Sequence, residues 1–411
     1  METVVGGLFR PAGAKRLKVH RLLAIDNSTK GDFGMKRSRM TAPLIALGLL
    51  LVSISTLRAQ QSFNTTIYLD YRYFLSGSGP ITLKPSDPQA AYLNNQFVFR
   101  RAYFTYENKI SDNLKFRFRL DADNTANVTG VTLADETLST KKDDRFRPFI
   151  KHLYVQWSNF LVQGMALTVG MEETLTFKIA EDKWGSRSVA KTLIDGYKDI
   201  TGMDIGASSA DIGVSLIGSA SKYVRYGAQV VNGSGYSHVE NNQYKKFSGR
   251  LQILPVAGFS LVGYIDYTRD LPNLTTYPGL SSPGATTYKV AAFFEMIKDL
   301  TLGGEWFTYR KDLNRLDDEM YNVSGWSVFG HYPLAEELSV FARYDGYEPN
   351  SLNDARNMGL LIAGLDWFPM GKSLRLQPNV WFISYKDATA YKATATSNSD
   401  VYFNLTFFMS F

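Results

Sequence analysis

The chain has 411 residues, of which 45 are Lys or Arg and 39 are Asp or Glu, and it contains no cysteine. The lack of cysteine excludes disulfide frameworks, thiolate metal sites and cysteine nucleophiles. The net charge of +6 comes from the first 60 residues, which hold ten basic and three acidic side chains. Because the remainder is nearly neutral, the charge gives no support for a nucleic-acid-binding surface.

The first 59 residues have the pattern of a leader. A basic stretch at 35–39 (MKRSR) precedes an apolar run at 42–54 and a Leu-Arg-Ala sequence ending at Ala59. This layout predicts a secretory signal peptide over 35–59, and the apolar run is shorter than the about 20 residues of a transmembrane helix. Residues 1–34 lack the pattern and are expected to be an upstream extension, with translation starting at Met35 or Met40; a regulatory extension is the alternative.

Residues 60–411 are expected to form one domain of alternating apolar and polar segments. Alternation places successive side chains on opposite faces of a strand. The clearest example is 114–123 (LKFRFRLDAD). The sixteen predicted strands are 63–74, 96–110, 114–123, 149–160, 165–174, 204–219, 224–232, 246–253, 259–269, 287–297, 300–311, 321–332, 338–346, 357–368, 374–385 and 400–411.

The last predicted strand, 400–411 (DVYFNLTFFMSF), has an apolar face that continues to the final residue. A terminal strand of a soluble protein is usually frayed and solvated, although an inner strand of a β-sandwich is an alternative. The alternation fits a strand that has one face on lipid and the other on a wet interior. The segment also resembles the C-terminal strand of bacterial outer-membrane barrels, which commonly end in Phe.

Short and long connections alternate between the predicted strands. With sixteen segments, this asymmetry predicts a transmembrane antiparallel β-barrel with short periplasmic turns and long external loops. A soluble sandwich would alternate less regularly. No segment after residue 59 is apolar and long enough to span a membrane as a helix. Aromatic residues near strand ends are expected to form interfacial girdles: Tyr73, Trp157, Trp306, Tyr309, Trp326, Trp367 and Tyr385.

Several segments resemble the phosphate-selective porin O and P family. They are FRRAYF at 99–104, the SDN turn at 111–113, LKFRFRLD at 114–121, WGSRSV at 184–189 and the terminal Phe411. The resemblance implies sixteen strands, a homotrimer and a passage lined by Arg and Lys. The resemblance extends over residues 60–411 in the arrangement of strands and loops, but only over their first half in the amino-acid motifs.

The third long connection, 177–200, differs from the others because Val189, Leu193 and Ile194 recur at helical spacing. In porins this loop folds into the lumen and narrows it, so we expect a partly helical constriction loop; a short external helix capping the barrel is the alternative. The expected constriction residues are Lys178, Glu181, Asp182, Lys183, Arg187 and Lys191.

Basic residues on the polar phase of the strands are the candidates for a solute path. Guanidinium groups suit carboxylate and phosphate because their fork donates two bonds at once. They could form a ladder for anions, or each could pair with an inward acid such as Asp70, Asp121, Asp266 or Asp345. The pore-lining candidates are Arg72, Arg101, Lys115, Arg117, Arg119, Arg225, Arg250, Arg343 and Arg375.

The sequence therefore predicts a passive porin of the Gram-negative outer membrane for small hydrophilic solutes, with a preference for anions such as phosphate as the narrower hypothesis. The expected partners are membrane lipid, these solutes and two further copies of the chain, without nucleic acid. No catalytic motif, cofactor or metal site is expected, since the four histidines are scattered. The alternative is a non-conducting barrel that acts as an anchor or adhesin through its external loops.

Overall fold

The computed structural model describes residues 60–77, 95–123, 127–134, 137–143, 147–240, 242–269, 284–312 and 320–411. The predicted signal peptide and the upstream extension lie outside these residues. No helix in the described ranges is long and apolar enough to cross a membrane.

The described residues form nineteen strands and two α-helices, with single turns of 3-10 helix at Asp354–Arg356 and Ala388–Ala390. In chain order the elements are β1 (Gln60–Ser76), β2 (Asn95–Lys109), β3 (Leu114–Asp123), β4 (Asn127–Ala134), β5 (Thr137–Asp143), β6 (Pro148–Ser158), β7 (Ala166–Glu173), α1 (Lys178–Trp184), α2 (Leu193–Thr201), β8 (Ala210–Ser221), β9 (Val224–Val231), β10 (Lys246–Val256), β11 (Phe259–Arg269), β12 (Gly284–Phe294), β13 (Thr301–Asp312), β14 (Met320–Ala335), β15 (Leu338–Glu348), β16 (Met358–Trp367), β17 (Pro369–Lys372), β18 (Leu374–Tyr385) and β19 (Ser399–Ser410).

Sixteen strands close into one antiparallel barrel, which confirms the predicted fold. The barrel closes where β1 pairs with β19, from Thr66 opposite Ser410 to Tyr73 opposite Phe403. Closure gives every spanning strand two neighbours, so no edge is left unpaired. The short β17 lies in the connection between β16 and β18, and β4 and β5 form a separate two-stranded sheet.

Three predicted segments match the observed strands to the residue: β3, β11 and β18. The start predicted at residue 204 for β8 is wrong, because the strand begins at Ala210 and the preceding residues belong to a loop. The hairpin of β4 and β5 was not predicted, since 124–147 is polar without clear alternation.

The two ends of the barrel differ. Because neighbouring strands are antiparallel, the short connections such as 110–113, 222–223 and 257–258 meet at one end, here called the turn end. The strand ends that lead into the long connections lie at the opposite end, the loop end. This sorting follows the predicted alternation; the assignment of the turn end to the periplasm remains a prediction.

Most of the predicted girdle aromatics lie on the outer face of the barrel. Tyr73, Trp157, Trp306, Trp326 and Trp367 are exposed there. The prediction is wrong for Tyr309 and Tyr385, which are buried inside the barrel. Strand phase decides this, since alternate residues of one strand face opposite sides.

Candidate functional site

The connection between β7 and β8, residues 174–209, enters the barrel interior and is called the inserted loop. It carries α1 and α2, which confirms the predicted helical content. Trp184, Leu193 and Tyr197 of this loop are fully buried. The alternative of an external helix capping the barrel is therefore wrong.

The inserted loop packs on the barrel wall through a hydrophobic core. The ring of Trp184 lies edge-on to Phe329 and Phe341, with centroid distances of 5.4 and 5.8 Å. Tyr197 lies edge-on to Phe307 at 5.2 Å. The wet interior expected from the alternation is not found on this side, where the inward residues of these strands pack against the inserted loop. The same core includes Phe293, Leu360, Ile362 and Ile383.

Basic side chains of the wall bind main-chain carbonyl oxygens of the inserted loop. Irregular backbone inside a barrel needs such partners because its carbonyls lack a strand ladder. Three of the predicted pore-lining residues, Arg250, Arg343 and Arg375, serve in this way and help to hold the loop. The donor and acceptor pairs are Arg250 to Leu175 at 3.2 Å, Lys289 to Thr176 at 3.1 Å, Arg375 to Gly185 at 3.0 Å, Arg100 to Val189 at 3.1 Å, Arg343 to Lys191 at 2.5 Å and Lys246 to Gly206 at 2.7 Å.

Five of the nine predicted pore-lining cations form ion pairs with carboxylates. The pairs are Arg101 with Asp121 and Asp123 at 3.4 Å each, Lys115 with Glu107 at 3.0 Å, Arg117 with Glu107 and Glu173 at 3.3 Å each, Arg343 with Asp345 at 2.6 Å, and Arg375 with Asp366. The paired arrangement therefore describes these five better than a ladder of free cations. The suggested acids Asp70 and Asp266 pair instead with Arg100 and Lys246.

The other four predicted cations, Arg72, Arg119, Arg225 and Arg250, have no carboxylate within 4.0 Å among the described residues. Arg72 donates to Asn404 at 2.9 Å. Arg119 donates from Nε to Thr105 at 2.8 Å, and its guanidinium carbon lies 4.8 Å from the centre of the Tyr103 ring.

The six predicted constriction residues all lie on the inserted loop and are paired. Arg187 contacts Glu181 and Asp195, each at 2.8 Å. Burial alone would raise the pKa of Asp195, but the combined effect of nearby cations, of which Arg187 has the largest, outweighs burial and lowers it. The remaining pairs are Lys178 with Asp182, Lys183 with Glu295, and Lys191 with Asp199.

Two β-bulges turn extra basic residues into the barrel. In β2, Tyr68 pairs with Arg101 and Leu69 with Phe99, so Arg100 is the additional residue. In β6, Arg119 pairs with His152 and Leu120 with Ile150, so Lys151 is additional. A bulge lets consecutive side chains face the same way. Strict alternation therefore missed Arg100 and Lys151; only the pairing of the neighbouring strands could reveal them.

A cavity of about 280 Å³ separates the inserted loop from the wall formed by β1, β2, β3, β6, β7 and β19, and is called the wall cavity. It brings together only two of the predicted cations of the loop, Lys178 and Arg187, and one of the strands, Arg119. Lys151 and the carboxylates of Glu173 and Glu181 also line it.

A second cavity of about 360 Å³ lies on the other side of the inserted loop, against β9, β10 and β11, and is called the mouth cavity. It holds Arg225 from the strands, and Asp182 and Lys183 from the loop. Those predicted residues that line a cavity are thus divided between two spaces, and the other predicted residues line neither of them.

No protein-family model and no curated protein matches the chain. The resemblance to the phosphate-selective porin O and P family therefore stays an expectation.

Solved structures with the same fold include three outer-membrane proteins. The chain is 11% identical to OmpT of Vibrio cholerae, with a TM-score of 0.53, covering 87% of this chain and 99% of that one. The chain is 10% identical to OmpF of Salmonella typhi in complex with daunomycin, with a TM-score of 0.56, covering 85% of this chain and 97% of that one. It is 11% identical to the outer-membrane channel DcaP of Acinetobacter baumannii, with a TM-score of 0.56, covering 86% of this chain and 97% of that one. At this identity the likeness establishes the barrel fold alone.

Proposed function

We propose that this chain is a passive porin of the Gram-negative outer membrane that admits small hydrophilic solutes. The observation that carries the proposal is the inserted loop, which crosses a closed barrel and leaves a charged wall cavity beside it. Pathways of this kind select solutes by their width and by the charges that line them. The likeness in fold to outer-membrane channels supports the proposal.

A preference for anions, with phosphate as the narrower case, is proposed from the lining of the wall cavity. Four basic side chains, Arg119, Lys151, Lys178 and Arg187, line it beside two carboxylates. Three of the four form ion pairs that neutralise their charge: Lys151 with Asp121 at 3.1 Å, Lys178 with Asp182, and Arg187 with Glu181. Arg119 therefore contributes most of the positive potential that attracts an anion.

We also propose a homotrimer as the working assembly. The support comes from one structural neighbour, OmpT of Vibrio cholerae folded in vitro, which is described in a trimer form. Cross-linking of the native membrane fraction, followed by electrophoresis without heating, tests this assembly. A trimeric band is expected, and a solely monomeric band contradicts it.

Conductance in planar bilayers tests the proposed function. We expect stepwise insertion of open channels in KCl, followed by a reversal potential in a salt gradient whose sign shows faster anion passage. A non-conducting barrel would contradict the porin and favour the anchor or adhesin. The separate hairpin of β4 and β5 on the loop-end connection is the feature that supports this second function.

A further inference from the structure

Two polar side chains that line the wall cavity have side-chain nitrogens without a hydrogen-bond partner among the described residues. Arg119 and His152 are directly opposite in the β3–β6 ladder, and both line the cavity. His152 is 1% exposed, and neither ring nitrogen has a hydrogen-bond partner among the described residues. Buried polar groups are rarely left in this state, and each such group indicates a missing partner or a functional role.

A carboxylate is the group that would satisfy both side chains. The planar guanidinium of Arg119 can donate in a fork to two carboxylate oxygens, since among the described residues only its Nε donates a hydrogen bond, to Thr105. A neutral imidazole has one N–H donor, which can reach the same anion. The described residues already provide carboxylates for the neighbouring cations Lys151 and Arg187, so an added carboxylate would pair with Arg119 and His152.

Aromatic rings form the adjoining wall of the cavity. Tyr68 lies edge-on to Tyr103 with the ring centres 6.0 Å apart, and Phe408 lies 5.7 Å from Tyr68. Tyr68 and Phe408 line the cavity together with Phe177. Aromatic surfaces of this kind favour a ring that packs edge-on or offset against them. The volume of about 280 Å³ is below the range of about 300–1,000 Å³ for drug-sized ligands, which limits the occupant to a single ring.

We infer that the wall cavity is a binding subsite for small carboxylates that carry one aromatic ring. The carboxylate lies between Arg119 and His152, and the ring packs against Tyr68 and Phe408. This inference rests on the proposed porin function, because the subsite then lies on the solute path and its occupancy obstructs the passage of other ions.

Ion current through the full-length barrel in a planar bilayer tests the subsite. Sodium benzoate is added to a KCl solution, with sodium acetate, sodium phosphate and benzyl alcohol in parallel at equal concentration and ionic strength. Benzoate is expected to lower the KCl current at a concentration at least about tenfold below that of the other three probes, because only benzoate combines the charge with the ring. Equal responses to benzoate and acetate, or a stronger response to phosphate, overturn the inference.

Variants locate the effect. Arg119→Gln is expected to raise the half-blocking concentration of benzoate about tenfold, as expected for the loss of a charged hydrogen bond, and Arg119→Lys by a smaller factor because the charge remains without the fork. Arg225→Gln is the matched control, since Arg225 also has no carboxylate within 4.0 Å among the described residues but lines the mouth cavity. An unchanged benzoate response in Arg119→Gln, or an equal loss in Arg225→Gln, overturns the subsite.

Equilibrium binding, measured beside conductance, tests the carboxylate subsite separately from the porin function. Isothermal titration of benzoate into the detergent-solubilised barrel is expected to show one site per chain, which Arg119→Gln weakens. Binding without conductance supports the subsite and contradicts the porin. Conductance without benzoate binding supports the porin and overturns the subsite.

Discussion

The guanidinium of Arg343 donates two hydrogen bonds to the carboxylate of Asp345, 2.8 Å from Nε and 2.6 Å from Nη2. Both residues lie on the inner face of β15, and both are almost completely buried. The third guanidinium nitrogen of Arg343, Nη1, donates a hydrogen bond to the carbonyl oxygen of Lys191. The ion pair thus holds Arg343 in position to attach the inserted loop to the wall.

Asp345→Ala is expected to destabilise the barrel because it leaves the buried Arg343 charge without its partner. A loss of about 3–5 kcal/mol is typical of such a change, and chemical unfolding in detergent, followed by tryptophan fluorescence, measures it. The control is Asp112→Ala, whose pair with Lys109 lies on the exposed surface and should contribute little to stability because solvent screens it. Equal losses in the two variants would contradict the anchoring role.

Trp184→Ala should loosen the inserted loop. The buried indole fills the space between Phe329 and Phe341 and donates to the carbonyl oxygen of Ala190 at 2.9 Å. Its removal is expected to cost about 3–5 kcal/mol and to raise single-channel conductance, because the loop is freed from the wall. Trp306→Ala, on the exposed outer face, should leave conductance unchanged; a rise in both variants would refute this explanation.

Arg119→Ala and Arg117→Ala are expected to differ in their effect on ion selectivity. Arg117 is neutralised by Glu107 and Glu173, whereas Arg119 has no carboxylate partner among the described residues. Arg119→Ala should therefore shift the reversal potential further towards cation passage. A larger shift in Arg117→Ala would show that ion pairing does not decide which arginine attracts anions.

Glu181 should make ion selectivity depend on pH. Burial raises the pKa of this carboxyl, and the opposing effect of Arg187 does not cancel the rise. As the pH falls, Glu181 is therefore protonated at a pH above the ordinary glutamate pKa of about 4.3. The wall cavity then loses a negative charge, and the ratio of anion to cation permeability should increase. Reversal potentials from neutral to mildly acidic pH measure the change, which Glu181→Gln should diminish; an identical pH response in this variant would assign it to another group.

Deletion of residues 400–411 is expected to block assembly. These residues provide the pairing that closes β19 on β1, and the backbone of Phe411 exchanges hydrogen bonds with Thr65 at 2.7 and 3.0 Å. Their loss would leave β1 and β18 as unpaired edges in lipid. Electrophoresis with and without heating detects the folded barrel. Phe411→Ala keeps the backbone pairing and should fold; a folded deletion variant would disprove closure by β19.

The strands could be predicted because alternation is a local property. The sequence of β3 alone shows which side chains share a face, and its predicted bounds agree with the structure. Helical spacing is also a local signal, and it predicted that the connection 177–200 is partly helical. It could not show that the loop has a hydrophobic core with the wall, because partners such as Trp184 and Phe341 are far apart in the chain.

The barrel fold, its strand number and the helical loop were thus determined by the sequence itself, through side-chain periodicity and the spacing of turns. Only the tertiary structure decided which cations are free. The bulges at Arg100 and Lys151 depend on how neighbouring strands pair, and the ion pair of Arg343 with Asp345 depends on burial. Arg119 became the principal candidate because the fold places carboxylates beside its neighbours and, among the described residues, none beside it.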